Sequence, residues 1–281
     1  MEFSDRITRL PRPYDRDRAA AIAAAAPWAD GELAEVLYGA AGGSRPYLAR
    51  LVQVEADWLR EAVDGDPIAA VDAELARLDI PETFADVASA LHRAKRRIAL
   101  LAGLAELGGV WGLHEVTGAL TRLADRAVDL AILAYLRPVL ARGKLPGMGP
   151  DDLVGRAGLC VLAMGKMGAF ELNYSSDIDL ICLFDDQRFD NGELPEARSQ
   201  IVRVIRKAMA LLSDITADGY VFRTDLRLRP DPSVTPVVVS MASAERYYEG
   251  LGRTWERAAF IKARPCAGDL AAGTRFLDEI R

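Results

Sequence analysis

Residues 159–184 read LCVLAMGKMGAFELNYSSDIDLICLF, and this stretch decides the fold of the second half of the chain. It contains two short apolar runs, LCVLAM and DIDLICLF, on either side of a turn that contains glycine. Apolar runs of this length between turn residues are typical of β-strands. A third run, YVFRTDLRL, follows a stretch with helical periodicity from about 195 to 217. The order predicts an α+β domain with a mixed sheet, partly covered by flanking helices.

Acidic residues lie on two of these predicted strands. Asp177 and Asp179 alternate with apolar residues in DIDLICLF. Because side chains alternate across a strand, both aspartates belong to one face, about 6 to 7 Å apart. The same alternation in YVFRTDLRL places Asp225, Arg227 and Arg229 on one face. Two adjacent strands of this kind would bring three carboxylates together.

Three carboxylates at one sheet face repel each other and are costly to bury unless a cation binds them. Mg²⁺ prefers oxygen ligands, usually one or two carboxylates with waters and substrate phosphates. Such ions activate an attacking oxygen and stabilise a leaving one. We therefore predict Asp177, Asp179 and Asp225 as catalytic residues and as metal ligands.

A glycine turn, MGKMG, comes directly before these carboxylates, with Gly165 and Gly168 on either side of Lys166. Glycine lets a backbone approach a phosphate closely and offer its N–H group. The turn is not a Walker A loop, because Met167 stands where that motif has Ser or Thr. The order of glycine turn, serine pair, D-x-D strand and later aspartate favours metal-dependent nucleotidyl transfer.

The first 145 residues are rich in Ala, Leu, Glu and Arg, with apolar residues three and four positions apart, and predict a helical domain. Proline and the Gly108-Gly109 pair separate the predicted helices, which cover residues 17–26, 31–40, 45–64, 82–108 and 114–141. Pro46, Pro67 and Pro81 are among these breaks. Residues 142–158 concentrate glycine and proline and predict a linker, so that the domains cover 1–145 and 146–281.

One helical segment, LHRAKRRI at 91–98, carries four cations beside an apolar stripe. We interpret these cations as a solvated helix face, with contact to a polyanion or a partner protein as the alternative.

The net charge of −6 excludes bulk electrostatic attraction to nucleic acid or to an anionic membrane. Three cysteines without a C-x-x-C pair exclude a disulfide framework and a thiolate zinc site, and predict buried free thiols. No run reaches the roughly 20 apolar residues of a membrane helix. The charged first residues have no secretory apolar region, so we expect a cytoplasmic protein.

Three strings carry a resemblance to a known family: LAMGKMGAFELNYSSDIDLICLFD, FRTDLRLRP and YYEGLGRTWERAAFIKARP. Together they closely resemble the glutamine synthetase adenylyltransferase/adenylyl-removing enzyme family of the polymerase-β-like nucleotidyltransferase superfamily, over residues from about 155 to 266. The resemblance implies two nucleotidyltransferase halves that act on one tyrosine of glutamine synthetase. One half attaches AMP from ATP, and the other removes it by phosphorolysis and releases ADP.

The strings ELNYSSDIDLI and W-E-R…K-A-R resemble the amino-terminal, adenylyl-removing half. Full-length members of the family are several times longer. We therefore expect a helical domain followed by a catalytic domain that is truncated at its C-terminal end, both cut from a bifunctional enzyme of nitrogen regulation.

The resemblance also implies roles for individual residues. Asp177, Asp179 and Asp225 are the Mg²⁺ ligands, Gly165, Lys166 and Ser176 lie near the nucleotide phosphates, and Arg227 and Arg229 face the same site. The implied nucleotides are ATP, ADP and AMP, used with inorganic phosphate. The implied partners are glutamine synthetase as the protein substrate and, in the full-length enzyme, the signal-transducing PII protein.

Further cations follow in the third string. Arg253 and Arg257 share a face of a predicted helix that begins at about 253, and Lys262 and Arg264 lie beyond it. These four residues are candidates for phosphate or substrate contacts, and the arginines suit this role because a guanidinium group binds two phosphate oxygens at once. Ion pairs with Glu249 and Glu256 are the alternative for the two arginines.

Three other functions remain open from the residues. The chain could be a module that binds nucleotide or a partner without turnover. It could be the adenylylating half, which uses ATP. It could also be a free-standing transferase that acts on another protein or a small molecule.

Overall fold

The structure, a computed structural model, describes residues 2–42, 46–78 and 84–280. The predicted helix residues 45, 82 and 83 and the predicted break at Pro81 lie outside these ranges. Contacts divide the chain into two units, Met1–Leu78 with His92–Leu123 and Asp79–Leu91 with Ala124–Arg281. The predicted domains, 1–145 and 146–281, are segments expected to fold as domains, and this division stays a prediction.

The first unit is helical throughout its regular structure. Its helices are α1 (Arg16–Ala25), α2 (Gly31–Val36), α3 (Pro46–Val54), α4 (Ala56–Val63) and α5 (Pro67–Ala76), followed by parts of α6 (Phe84–Leu107) and α7 (Leu113–Ala141). A π-helical segment, Leu37–Gly42, continues α2. Large side chains from these segments form the buried core, among them Phe3, Ile22, Leu37, Leu51, Leu59, Ile98 and Leu101.

Two predictions for this unit are wrong in detail. The predicted helix at 45–64 is two helices, because the chain leaves the helical conformation at Glu55. The predicted break at Pro67 is instead the start of α5. The Asp66 side chain accepts a hydrogen bond from the Ile68 N–H, and proline fits the first turn of a helix because no intrahelical bond needs its missing N–H.

The cations of 91–98 do not form a solvated face throughout. Arg96 and Arg97 are only 22% and 19% exposed, and their Nε atoms bond to the buried carboxylate of Glu55 at 2.9 and 2.8 Å. Arg97 also pairs with buried Glu74 at 3.1 Å. The prediction of a solvated face is wrong for these two arginines, because each neutralises a carboxylate that helix packing has buried.

The second unit contains the mixed sheet. Its elements, after the C-terminal part of α7, are β1 (Leu159–Ala163), α8 (Gly165–Gly168), β2 (Ile178–Phe184), α9 (Leu194–Ser213), β3 (Thr224–Asp225), β4 (Val238–Ser240), α10 (Met241–Gly250), α11 (Thr254–Ala259), β5 (Arg264–Gly268) and α12 (Leu270–Ile280). Strand β2 is antiparallel to β1 and parallel to both β3 and β4, and β1 is antiparallel to β5. The predicted α+β class is confirmed.

The sheet is more fully covered than predicted. Every residue of β1 and β2 except Asp179 is buried. One cluster joins alternate residues of these strands to side chains from α10 and α12, including Tyr248, Phe276 and Leu277. A seven-residue apolar stripe makes α9 amphipathic, and this helix contacts β3 and β4. The single half-buried position in β2 is therefore an acidic one.

The third predicted strand is much shorter than its sequence run. Only Thr224 and Asp225 pair with β2. The Asp225 Oδ1 atom accepts the backbone N–H of Arg227 at 2.8 Å, and this turn ends the strand. The prediction that strand alternation continues through Arg227 and Arg229 is therefore wrong.

The prediction of buried free thiols is confirmed. Cys160, Cys182 and Cys266 are free and buried. None of the described helices combines the length and the apolar character that a membrane span requires.

Candidate active site

The carboxylates meet where β2 and β3 begin. The parallel register pairs Ile178 with Thr224 and Asp179 with Asp225. Asp177 directly precedes β2, where the Ile178 N–H donates to the Arg223 carbonyl at 2.9 Å. The in-register pairing of two short strands therefore brings all three predicted aspartates into one neighbourhood.

Electrostatics show how closely these carboxylates interact. Burial, followed by the charges of Asp225 and Asp177, raises the pKa of Asp179. By contrast, hydrogen bonds from Arg227 lower the pKa of Asp225. Within the described residues, the Asp179 side chain has no hydrogen-bond or ion-pair partner. The central carboxylate is thus half-buried, next to two others, and without a cation of its own.

The carboxylate oxygens of the three aspartates are of the type that binds a hard divalent cation, although they are not arranged around one. In the part of the chain that the structure describes, no three carboxylate, imidazole or thiol groups stand in a metal-binding arrangement. Arg223 bonds to Asp177 Oδ1 and Arg227 bonds to Asp225 Oδ2, so these carboxylate oxygens are paired with guanidinium groups. Oxygen ligands and unbalanced negative charge at Asp179 are what Mg²⁺ requires, so the residues fit this ion.

The glycine turn lies against the central aspartate. Helix α8 begins at Gly165, whose φ is +52°, and a Cβ atom there would lie 2.9 Å from Asp179 Oδ2. The Met164 N–H donates to the Asp179 carbonyl at 2.9 Å. At Gly168, a Cβ atom would lie 2.0 Å from the Lys262 carbonyl oxygen. Gly168 is therefore needed for close packing of backbone on backbone. Gly165 allows a positive φ and a close contact with the Asp179 side chain at the candidate site.

Lys166 and Ser176 are connected through their side chains. Lys166 Nζ donates to Ser176 Oγ at 3.4 Å, and Ser176 Oγ donates to Asn173 Oδ1 at 2.5 Å. The Lys166 charge also acts to lower the pKa of Asp179. The structure thus brings together Lys166, Ser176 and the carboxylates, and adds Asn173, which sequence reasoning missed. Its position three residues before Ser176 in a turn is a signal that could have found it.

The two predicted arginines differ. Arg227 donates from Nε to both oxygens of Asp225, at 3.0 and 2.9 Å, and from Nη2 at 2.5 Å. Arg229 donates to the carbonyls of Leu226, Pro232 and Thr235. Burial lowers the pKa of Arg229. The structure brings Arg227 to the carboxylates, whereas Arg229 connects the loop that follows β3.

Arg223 is a site residue that sequence reasoning missed. Its Nε donates to Asp177 Oδ1 at 2.5 Å, its Nη2 to the Ser175 carbonyl at 2.5 Å, and its Nη1 to the Tyr220 hydroxyl at 2.8 Å. The signal was present in the sequence, because Arg223 precedes Asp225 by the same two positions as Asp177 precedes Asp179. Parallel strands in register place such residues side by side.

The later cations have protein partners. Lys262 pairs with Glu171 at 2.8 Å, and Arg264 pairs with Asp125 at 2.8 Å and donates to the Met167 carbonyl. Arg257 donates to the carbonyls of Tyr248 and Glu249 rather than to a carboxylate.

Glu256 does not form the ion pairs with Arg253 and Arg257 that were the alternative. Its Oε2 accepts the backbone N–H of Arg253 at 2.7 Å, and its carboxylate accepts the Tyr247 hydroxyl. Lys262 and Arg264 lie beside α8. The partner of Lys262, Glu171, follows that helix, and Met167, which accepts from Arg264, is part of it.

Comparison with known proteins gives consistent matches. The sequence profile of the family described as glutamate-ammonia ligase adenylyltransferase matches residues 37–279. Three relatives are each named bifunctional glutamine synthetase adenylyltransferase/adenylyl-removing enzyme. The relative from a Bradyrhizobium species is 49% identical over 84% of this chain and 24% of its own length. The relative from Rhodopseudomonas palustris is 44% identical over 96% of the chain and 29% of its own length.

The third relative, from Caulobacter vibrioides, is 42% identical over 84% of the chain and 24% of its own length. The chain spans about a quarter of the length of the curated relatives that it matches. With its α+β nucleotidyltransferase fold and a profile match over most of its residues, the chain belongs to the glutamate-ammonia ligase adenylyltransferase family.

Proposed function

We propose that this chain is part of the amino-terminal, adenylyl-removing half of a bifunctional enzyme that acts on glutamine synthetase. It removes AMP from an adenylylated tyrosine by phosphorolysis and gives ADP, as a Mg²⁺-dependent nucleotidyltransferase in the cytoplasm. The observation that carries the proposal is the register that sets Asp179 beside Asp225, with Asp177 directly before β2. Three carboxylates in one neighbourhood, next to a glycine turn, suit transfer at a phosphorus atom.

The reaction exchanges one phosphorus–oxygen bond for another. An oxygen of inorganic phosphate forms a bond to the phosphorus of AMP, the bond to the tyrosyl oxygen breaks, and that oxygen takes up a proton. Asp177, Asp179 and Asp225 would hold Mg²⁺, which neutralises charge on the reacting phosphate oxygens when it is bound. Positioning and charge stabilisation supply most of the acceleration in such reactions.

Other residues of the site orient the phosphates. Gly165 has no Cβ atom, so its backbone lies directly against the Asp179 carboxylate and can approach a phosphate bound there. Lys166 contributes a point charge near the carboxylates, held towards Ser176. Arg227 offers a planar guanidinium that matches two phosphate oxygens at once. A nucleotide with its phosphates on this side of the carboxylates therefore meets three groups that favour it.

The wider biology belongs to the same proposal. Glutamine synthetase is the protein substrate, and the PII protein is a regulatory partner of the full-length enzyme in nitrogen regulation. The nucleotides are AMP on the substrate, ADP as the product and ATP in the opposite reaction.

The test uses adenylylated glutamine synthetase, inorganic phosphate and Mg²⁺ with the purified chain, and measures ADP by chromatography. We expect ADP release, and a loss of at least about 100-fold in rate for Asp179→Asn, because one ligand of a metal worth several kcal/mol is removed. Asp278→Asn, an exposed acidic position on α12, is the control and should react like the wild type.

Each other outcome contradicts the proposal in a different way. Normal turnover by Asp179→Asn would exclude the carboxylate site. Nucleotide binding without ADP release would favour a binding module without turnover, a function compatible with a chain that spans about a quarter of its relatives. Transfer of AMP from ATP onto unmodified glutamine synthetase, without the removal reaction, would identify the adenylylating half.

A further inference from the structure

Two arginines neutralise the outer carboxylates of the site, and they are held in different ways. Arg223 bonds to Asp177, and Arg227 bonds to Asp225. Asp179 lies opposite Asp225 in the register of the two strands and follows Asp177 by two positions. The two ion pairs have similar chemistry, so the difference in their surroundings decides what each can do.

Arg223 is anchored independently of its carboxylate. It also donates to the Ser175 carbonyl and to the Tyr220 hydroxyl, and its guanidinium lies 5.5 Å from the centre of the Tyr220 ring. Apart from Asp177, three groups that belong to Ser175 and Tyr220 therefore fix its position. Arg223 would stay in place if Asp177 turned towards another cation.

Arg227 has no such anchor. Its side chain is 83% exposed, and within the described residues its side-chain contacts are all with Asp225. The charges of Asp177 and Asp179 also act on it, since both contribute to raising its pKa. An exposed ion pair of this kind contributes little to stability, because water screens it, so it exchanges readily.

Arg227 occupies the oxygens that a metal would need. Its Nε and Nη2 atoms bond to Oδ2 of Asp225, and its Nε and backbone N–H bond to Oδ1. A divalent cation cannot coordinate Asp225 while the guanidinium remains there. Once displaced, the guanidinium stays tethered within reach of the site, where phosphate oxygens offer it the same paired geometry.

We propose that Arg227 is an exchangeable counter-ion, which occupies Asp225 until a divalent cation displaces it and then binds a phosphate of the nucleotide. This inference rests on the proposed function. Metal binding and phosphate binding then favour each other. The metal becomes the new partner of Asp225 and releases Arg227, and the phosphate becomes the new partner of Arg227. Arg223, in contrast, is a positioning residue that holds Asp177 throughout.

The experiment measures binding of Mn²⁺, used in place of Mg²⁺, from the electron paramagnetic resonance signal of the free ion. We expect Arg227→Gln to bind Mn²⁺ about fivefold more tightly than the wild type, because the ion pair that competes for Asp225 is gone. Arg203→Gln on the exposed face of α9 removes the same charge outside the site and should change the affinity by less than about twofold. Saturating AMP should tighten Mn²⁺ binding more in the wild type than in Arg227→Gln.

Three results would overturn the inference while the metal site stands: equal affinity of Arg227→Gln and wild type, equal tightening by Arg203→Gln, or equal tightening by AMP in both proteins. If the wild type binds no Mn²⁺, or Asp179→Asn binds it as well as the wild type does, the carboxylate site fails, and the proposed function fails with it. Thermal unfolding followed by circular dichroism verifies that each variant is folded.

Discussion

At the scale of single residues, the two paired aspartates of the site have opposite electrostatic roles in the fold. Asp179 is half-buried beside two other carboxylates, and its pKa is raised by burial first and by Asp225 and Asp177 next. Asp225 has its pKa lowered, chiefly by hydrogen bonds from Arg227. One carboxylate therefore opposes folding when ionised, and the other favours it.

This difference predicts opposite effects of two substitutions on stability. The favourable contribution of Asp179 is present below the ordinary pKa of aspartate and is lost as pH rises through its raised folded value. Asp179→Asn should therefore be more stable than the wild type at pH 7, with the difference disappearing in acid. Asp225 stabilises above its ordinary pKa and loses this effect in acid, so Asp225→Asn should be less stable at pH 7. Urea unfolding at pH 7 and pH 3 measures both.

The same direction of change in both variants at pH 7 would contradict this electrostatic account. It would show that removal of the turn at Asp225, or of packing at Asp179, dominates over charge.

At the scale of elements, the short helix α8 depends on a glycine at its closest backbone contacts. A Cβ atom at Gly168 would lie 2.0 Å from the Lys262 carbonyl oxygen and 2.6 Å from the Ala163 carbonyl oxygen. Neither is the flexible end of a side chain. The segment before β5, the end of β1 and α8 thus meet at a point where only glycine fits.

We expect Gly168→Ala to lower the free energy of unfolding by about 2 to 4 kcal/mol, because backbone must move to admit the methyl group. Gly118→Ala is the matched control. It lies inside α7 with no atom within 4 Å of the new Cβ position. Alanine there should stabilise by about 0.5 to 1 kcal/mol, through helix propensity. Denaturant unfolding curves give both values, and a Gly168→Ala variant as stable as the wild type would show that α8 can shift.

Sequence patterns predicted the elements whose signal is local. The alternation in DIDLICLF predicted β2 and its aspartates, and periodicity predicted α9 to within a few residues. Strand β3 was overestimated, because the Asp225 side chain forms a turn that competes with the strand pattern. Arg223 was missed because its role comes from the register of two strands, which depends on tertiary pairing. Helix α5 was missed because proline both breaks helices and starts them.

At the scale of the whole molecule, the three thiols report on the integrity of the second unit. Burial raises the pKa of Cys160 and Cys182 to about 12, and raises that of Cys266 well above its ordinary value. They lie on three neighbouring strands of one sheet. Their access to solvent therefore requires the sheet to open.

We expect none of the three thiols to react with iodoacetamide in the native protein at pH 8, and all three to react after denaturation in guanidinium chloride. Mass spectrometry counts the adducts. Rapid labelling of one thiol under native conditions would show that its strand opens locally without global unfolding.

The pairing of β2 with β3 determines when the site can form while the chain is being synthesised. Asp179 and Asp225 are neighbours in the sheet, yet Asp225 follows Asp179 by 46 positions along the chain. At about 5 to 20 residues per second on the ribosome, the second carboxylate is made about 2 to 9 seconds after the first. A nascent chain that has released β2 from the exit tunnel must therefore wait for β3. Until then it holds two of the three aspartates of the site, which cannot act on its substrate before this segment has been translated.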